Sequence, residues 1–147
     1  MIMEVRTVTF IRCPVAEVFA FVTNVENDLR WQPQISEVRV TSEGPIGVGT
    51  TFREVRHMFG FRFVWDMNIT VFEPNRRICI ESLRGAVPYR GCRDFEPVED
   101  GTRIIETSCV ELWPVFRPFR RLLANQSHQP VEAAYARLKA ILEDSLL

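Results

Sequence analysis

Three things are scarce in this chain of 147 residues: a surplus of either charge, long apolar runs, and histidine. The 18 basic and 19 acidic residues leave a net charge of −1. That balance excludes a general nucleic-acid binder, which needs excess Lys and Arg to displace counterions. No apolar run approaches the ~20 residues that cross a bilayer. The opening "MIMEVRTVTF" alternates polar and apolar residues and carries an acid at position 4, so it does not read as a signal peptide. His57 and His128 are the only histidines, and neither has a Cys, His or carboxylate at ligand spacing. A zinc site or a Ser-His-Asp triad is therefore not expected, and no metal or cofactor is predicted. Cys13, Cys79, Cys92 and Cys109 form no CxxC pair. Without an export signal they read as reduced thiols, packed as small apolar residues in a cytoplasmic protein. There is no repeat, linker or biased tract, so residues 1–147 are expected to form one domain.

What is present is patterned. Residues 3–12 alternate as a strand, and Pro14 then stands where a first helical turn tolerates it. "PVAEVFAFV" spaces Val15, Val18, Phe19 and Val22 as a helix does. A second short helix is expected from Thr23 or Asn24, both suitable caps, ending near Trp31 because Pro33 biases Gln32 out of the helical region. From 35 to about 111 the period becomes two, broken at "EGPIGVG", "MFGF", "EPNR", "RGAV" and "EDGT", which predicts six antiparallel strands. "GPIGVG" lacks the strand–loop–helix setting and the Lys of a phosphate loop, so it reads as a turn. A long helix closes the chain, with Phe119, Leu123, Gln126, Pro130, Ala134, Leu138 and Ile141 on one stripe and a kink expected at Pro130.

Three turns fix a strand register. With Phe59-Gly60 as a two-residue turn, Phe52, Glu54, Arg56 and Met58 share a face with Phe61, Phe63, Trp65 and Met67. Arg53 then faces Asp66 and Val55 faces Val64 on the other side, pairs that cross-strand packing favours. A bulge at Gly60 would shift this hairpin by one. Centring the next turn on Pro74-Asn75 sets Val71, Ile69 and Met67 against Ile78, Ile80 and Ser82. A turn at Gly85-Ala86 carries the same face to Tyr89, Gly91, Arg93 and Phe95.

This order, with "CPVAEVFAFVTNVENDLRWQP", "GVGTTFRE", "VFEPNRRI", "FEPVEDGTRI" and "VEAAYARLKAILE", resembles the polyketide cyclase/dehydrase-like branch of the START-like (SRPBCC) superfamily across essentially the whole chain. The resemblance implies an α+β helix-grip fold. A curved seven-stranded antiparallel sheet would wrap a long C-terminal helix, two short helices would follow the first strand, and an internal cavity would lie between sheet and helix. It also implies a small apolar partner, such as a lipid, polyketide or aromatic metabolite, that is carried, sensed or transformed. Pro130 in the long helix and Glu106 on a strand depart from the usual pattern.

The deduced inner face is mostly apolar, with Phe52, Phe63, Trp65, Met67, Ile69 and Ile80. Polar groups interrupt it: Glu54, Arg56, Ser82, Tyr89 and Arg93, then Glu106 and Ser108. Apolar walls with a few polar groups are the usual make-up of a ligand site. Buried charges need partners, so Glu54 with Arg56 and Arg93 with Glu106 are the expected pairs; a wet, structural role near the sheet edge is the alternative. A longer turn at Asp100-Gly101 would put Ile105, Thr107 and Cys109 inside instead of Glu106. The candidate ligand-binding set adds Trp31, expected to turn inward and close one end, and Leu123 and Gln126 of the long helix. Any catalysis would be proton transfer, with Glu54 as base and Arg56 or Tyr89 stabilising an enolate or phenolate oxygen. "HMFGF" and "LWPVFRPFRRLL" put aromatics at a hairpin tip and among arginines. Both are candidates for a cavity border or a lipid-touching surface, with ordinary packing or a homodimer contact the favoured reading.

Overall fold

The computed structural model describes residues 1–144, with the side chains of residues 124 and 126–128 outside that description. The elements run β1 (Ile2–Ile11), α1 (Val15–Thr23), a 3₁₀ turn (Val25–Asn27), α2 (Asp28–Trp31), β2 (Ile35–Val40), β3 (Thr51–Met58) and β4 (Phe61–Glu73). They continue with β5 (Arg77–Arg84), β6 (Tyr89–Val98), β7 (Gly101–Glu111), a 3₁₀ segment (Pro114–Phe119) and α3 (Arg120–Asp144). The seven strands form one antiparallel sheet in the order β1-β7-β6-β5-β4-β3-β2. It is the helix-grip architecture, with β1 crossing over to join the last strand. From β2 to β7 each strand pairs with its successor, as short hairpin connections require.

The hairpin registers follow from the turns. Phe52 lies opposite Met67 and Arg53 opposite Asp66, so no bulge displaces the β3–β4 turn. Its two central residues, Phe59 and Gly60, have φ of 55° and 79°. Both-positive φ is the twist-matched hairpin turn, which ordinarily takes Asn-Gly, so a phenylalanine there is strained. Asn75, at φ 61°, closes the next turn through the Arg76 N–H to Glu73 carbonyl bond of 3.0 Å. Ile69 faces Ile80 as expected, but the register shifts between Ile69 and Val71, setting Val71 opposite Cys79 rather than Ile78. The extra residue turns Phe72 inward, where it meets Phe19 edge-on at 5.3 Å. Phe19 also meets Phe95 at 5.1 Å, so α1 plugs that part of the groove with aromatic rings.

Three expectations are corrected. Cys79 and Cys92, directly opposite in the β5–β6 register, are joined by a disulfide and are not reduced thiols; Cys13 and Cys109 are free. Thr23 and Asn24 do not cap the second helix. The Thr23 hydroxyl donates back to the Phe19 carbonyl at 2.7 Å, and no side-chain cap bond forms at Asn24. Phe119 is exposed and lies just before α3, so the helix's buried stripe starts at Leu123 and continues through Ala134 and Leu138 to Leu142.

Candidate functional site

A cavity of about 210 Å³ lies between the sheet and α3. Its apolar wall is built from Met3 and Val5 of β1, Trp31 of α2, Trp65 of β4, Val110 of β7, and Val131 and Ala134 of α3. Trp65 is held flat by Phe63, stacked at 5.3 Å and 10°, and by its own Nε1, which donates to the Val87 carbonyl at 2.8 Å. A Cβ at residue 85 would run into the Trp65 ring, so Gly85 is what lets the β5–β6 turn close over it. At the β3–β4 turn, Met58 and Phe59 border the cavity beside Gln34, whose carbonyl accepts from the His57 N–H. These half-exposed residues line the cavity together with Pro130 and Val131 of α3.

The polar groups converge from five elements, α2, β3, β6, β7 and α3. Arg93 of β6 donates through Nε to Glu106 Oε1 at 2.8 Å and to the Tyr135 hydroxyl at 3.1 Å, and its guanidinium lies 5.2 Å over the Trp31 ring. Burial works against the Arg93 charge, but Tyr135, Glu106 and Asp28 outweigh it and hold the group firmly protonated. Arg56 of β3 donates to both oxygens of Glu54 at 3.3 and 3.2 Å, and to Gln32 Oε1 at 2.6 Å. The Tyr89 hydroxyl stands 3.3 Å from Ser108 Oγ. Burial, then the Glu106 charge, raises both Tyr89 and Tyr135 above the usual phenol range, so both stay protonated at neutral pH. Asp28, 4% exposed, is pushed up to about 7 by burial, although the Arg93 charge pulls it down; Glu54 pushes it further up.

Of the residues singled out from sequence, Trp31, Arg56, Trp65, Tyr89, Arg93, Glu106 and Ser108 are brought together around this cavity. Glu106, not Ile105, points inward, because the β6–β7 turn is the short one, Glu99-Asp100, with Val98 paired to Gly101. Glu54 pairs with Arg56 as expected but does not reach the cavity wall, so the wall carboxylate is Glu106. Phe52, Phe63, Met67 and Leu123 are on the right face but are packed into the core. Ile80 borders only a second pocket of about 20 Å³ behind Tyr89 and Arg93. The Gln126 side chain lies outside the described residues, as does that of His128. Sequence reasoning missed Asp28, Gln32 and Tyr135. Tyr135 follows Ala134 on a row of its own with Leu138 and Leu142, a spacing that could have exposed it.

Among the described residues no three His, Cys, Asp or Glu side chains stand where they could hold a metal ion. No described helix is long and apolar enough to cross a membrane. Trp113 stacks on Phe116 at 5.9 Å while Phe119 and Leu122 are exposed, so the 3₁₀ segment and the first turn of α3 present apolar side chains at the surface. The cavity offers charge-neutral pairs, protonated phenols and arginine donors beside a dry wall, a setting for holding a small oxygen-bearing apolar molecule or polarising its carbonyl.

A family model described as polyketide cyclase / dehydrase and lipid transport matches residues 3–143. A protein from Thermus thermophilus superposes with a TM-score of 0.83 at 23% identity, covering 97% of this chain and 98% of that one. A START superfamily protein from Mycobacterium smegmatis gives 0.80 at 16% identity, with 96% and 97% covered. The Zhui aromatase/cyclase from a Streptomyces species gives 0.81 at 15% identity, with 100% and 97% covered. No curated protein sequence matches the chain significantly.

Proposed function

The chain belongs to the polyketide cyclase/dehydrase and lipid transport family, and from that premise we propose that it acts as one domain enclosing a small hydrophobic molecule, as a carrier or sensor. The observation that carries the reading is the cavity of about 210 Å³ with apolar walls and a few converging polar groups. An enclosed void of roughly 150 Å³ suffices for a benzene, and drug-sized sites run from about 300 to 1,000 Å³. A one- or two-ring aromatic metabolite therefore fits better than a long-chain lipid. In this reading Trp31, Trp65, Tyr89, Arg93, Glu106 and Ser108 form the contact surface. Nucleic acid is not a partner, and membrane contact or a homodimer through the Trp113–Leu122 surface is secondary to the cavity. A cytoplasmic site of action goes with this reading only where the Cys79–Cys92 bond survives a reducing thiol pool.

The test is native mass spectrometry of gently purified protein beside an Ala134→Phe variant. Ala134 is buried on the wall, so a benzyl group there fills the void from α3. The wild type is expected to carry a bound apolar molecule or to take up naphthalene, and the variant to lose at least 10-fold in affinity while keeping its melting temperature. A wild type that binds neither sinks the reading.

A second reading, a cyclase or dehydratase, is favoured by Arg56 and Tyr89 standing on the same wall as Glu106. A developing enolate oxygen would be met by the Arg56 and Tyr89 donors, with Glu106 as the carboxylate in reach and Glu54 holding Arg56 in place. Arg56→Met is then expected to lower turnover of a synthetic poly-β-ketone by about 10²–10³-fold with binding intact. Turnover unchanged by that substitution removes the catalytic role.

A further inference from the structure

Four buried side-chain atoms lack a hydrogen-bond partner among the described residues: Thr7 Oγ1, Asp28 Oδ1, Trp31 Nε1 and Gln32 Nε2. Three of the four fall on the single turn of α2 and its exit. Residues 28, 31 and 32 stand at i, i+3 and i+4, the spacing that stacks side chains on one helix face. Trp31 and Gln32 are 1% and 5% exposed, and both line the cavity. Each orphaned buried group costs about 1–3 kcal/mol, so three on one turn, with Trp31 and Gln32 on the cavity wall and Asp28 behind it, is not a neutral accident of packing.

The neighbours explain why these atoms stay unpaired. Gln32 Oε1 is taken by Arg56 Nη2, which fixes the amide with its NH₂ turned away from the arginine. Gln32 approaches the Asp28 carboxyl without forming a well-shaped bond to it. The Trp31 ring is clamped between Tyr135, at 5.1 Å, and the Arg93 guanidinium, at 5.2 Å, so its N–H cannot swing to another acceptor. Trp65 shows the contrast, since its indole N–H is spent on Val87.

We propose that the Asp28–Trp31–Gln32 turn is a recognition subsite for a neutral hydroxyl on the enclosed molecule, the class being a one- or two-ring phenol or enol. The inference rests on the binding reading above and adds which group the ligand carries and where that group sits. Two N–H donors beside one carboxyl oxygen match an oxygen that both accepts and donates. An ether or carbonyl satisfies only the donors, and a hydrocarbon satisfies none. A carboxylate is disfavoured, because Arg56 and Arg93 are already matched by Glu54 and Glu106 and leave no surplus positive charge. The orphaned atoms sit just beneath the wall, so the turn must yield slightly for a ligand oxygen to reach them.

The experiment titrates the full chain with 2-naphthol, 2-methoxynaphthalene, naphthalene and 2-naphthoate by calorimetry, and follows the three tryptophan indole N–H resonances by assigned ¹⁵N–¹H spectra. Naphthol is expected to bind at least 10-fold tighter than the other three and to move the Trp31 indole proton downfield, with the Trp65 resonance little changed. Trp31→Phe is expected to weaken both ligands and to bring the ratio of naphthol to naphthalene affinity down about 10-fold; if that variant does not fold, the wild-type resonance decides. Equal binding of naphthol and its methyl ether, tighter binding of naphthoate, or an unmoved Trp31 resonance overturns the subsite while leaving the cavity reading standing. No binding by any of the four overturns the cavity reading and the subsite with it.

Discussion

Arg93→Met is expected to destabilise the protein by about 3–5 kcal/mol, the largest loss among substitutions at the cavity. The side chains of Arg93 and Glu106 are 11% and 10% exposed, and the same Nε that holds Glu106 also reaches Tyr135. Methionine fills comparable volume, so the loss comes from a carboxylate left in a dry site and a phenol left without its donor. For a chain of this length, that corresponds to a drop in Tm of roughly 10 °C or more. Adding Glu106→Gln to the variant is expected to recover most of the loss, because the stranded charge disappears. Arg53→Met supplies the control. Its ion pair with Asp66 is also short, at 2.9 Å, but the arginine is 45% exposed, and its removal is expected to cost no more than about 1 kcal/mol. Urea titration of the four proteins measures all of these, and a double variant as unstable as Arg93→Met alone would show that the charge pair is not what matters.

Asp28→Asn should act in the opposite direction, and only above acidic pH. The folded carboxyl titrates near 7 against 3.8 for the free side chain, chiefly because burial disfavours its charge. Between about pH 4 and 7 the folded chain therefore holds a proton that the unfolded chain has released. Stability from this group is complete below about pH 4 and is lost as pH rises through 7. The full loss amounts to about 4 kcal/mol. The wild type is thus expected to be more stable at pH 5 than at pH 8, and Asp28→Asn to be flatter across that range and more stable than the wild type at pH 8. Asp66 and Glu143, whose partners lower their pKa, act below that window and do not disturb the comparison. Parallel slopes for the two proteins from pH 5 to 8 would exclude Asp28 as the titrating group.

The sheet was legible because its turns are. Phe59-Gly60 and Gly85-Ala86 each set a register, and alternation did the rest; beside Pro74-Asn75 the pairing is one residue off, Glu73 with Arg77, and the expected register returns only at Ile69, beyond the bulge. The bulge at Thr70 was not, since an extra residue leaves the composition of "MNITVFEP" unchanged and only packing against Phe19 reveals it. The Gly85-Ala86 turn already places Cys79 opposite Cys92, a geometry that outweighs their wide spacing in the sequence. Alternation also says which face a residue occupies and not how much of the facing volume is filled. Trp65 borders a hollow while Phe63, two residues away, is packed beneath it. Asp28 escaped notice for a related reason. A helix of four residues has no periodicity to read, and an acid in "VENDLRW" looks like a solvated cap until the fold closes over it.

The phenylalanine at positive φ in the β3–β4 turn has a kinetic meaning. A backbone that would relax with Asn or Gly keeps an aromatic ring on the cavity's border instead, so the hairpin bears a strain that its own closure does not require. Under the binding reading proposed above, loosening that tip would change the rates of entry and exit alike while leaving the contacts of Trp31, Tyr89 and Arg93 in place, so that residence time and affinity would answer to different residues.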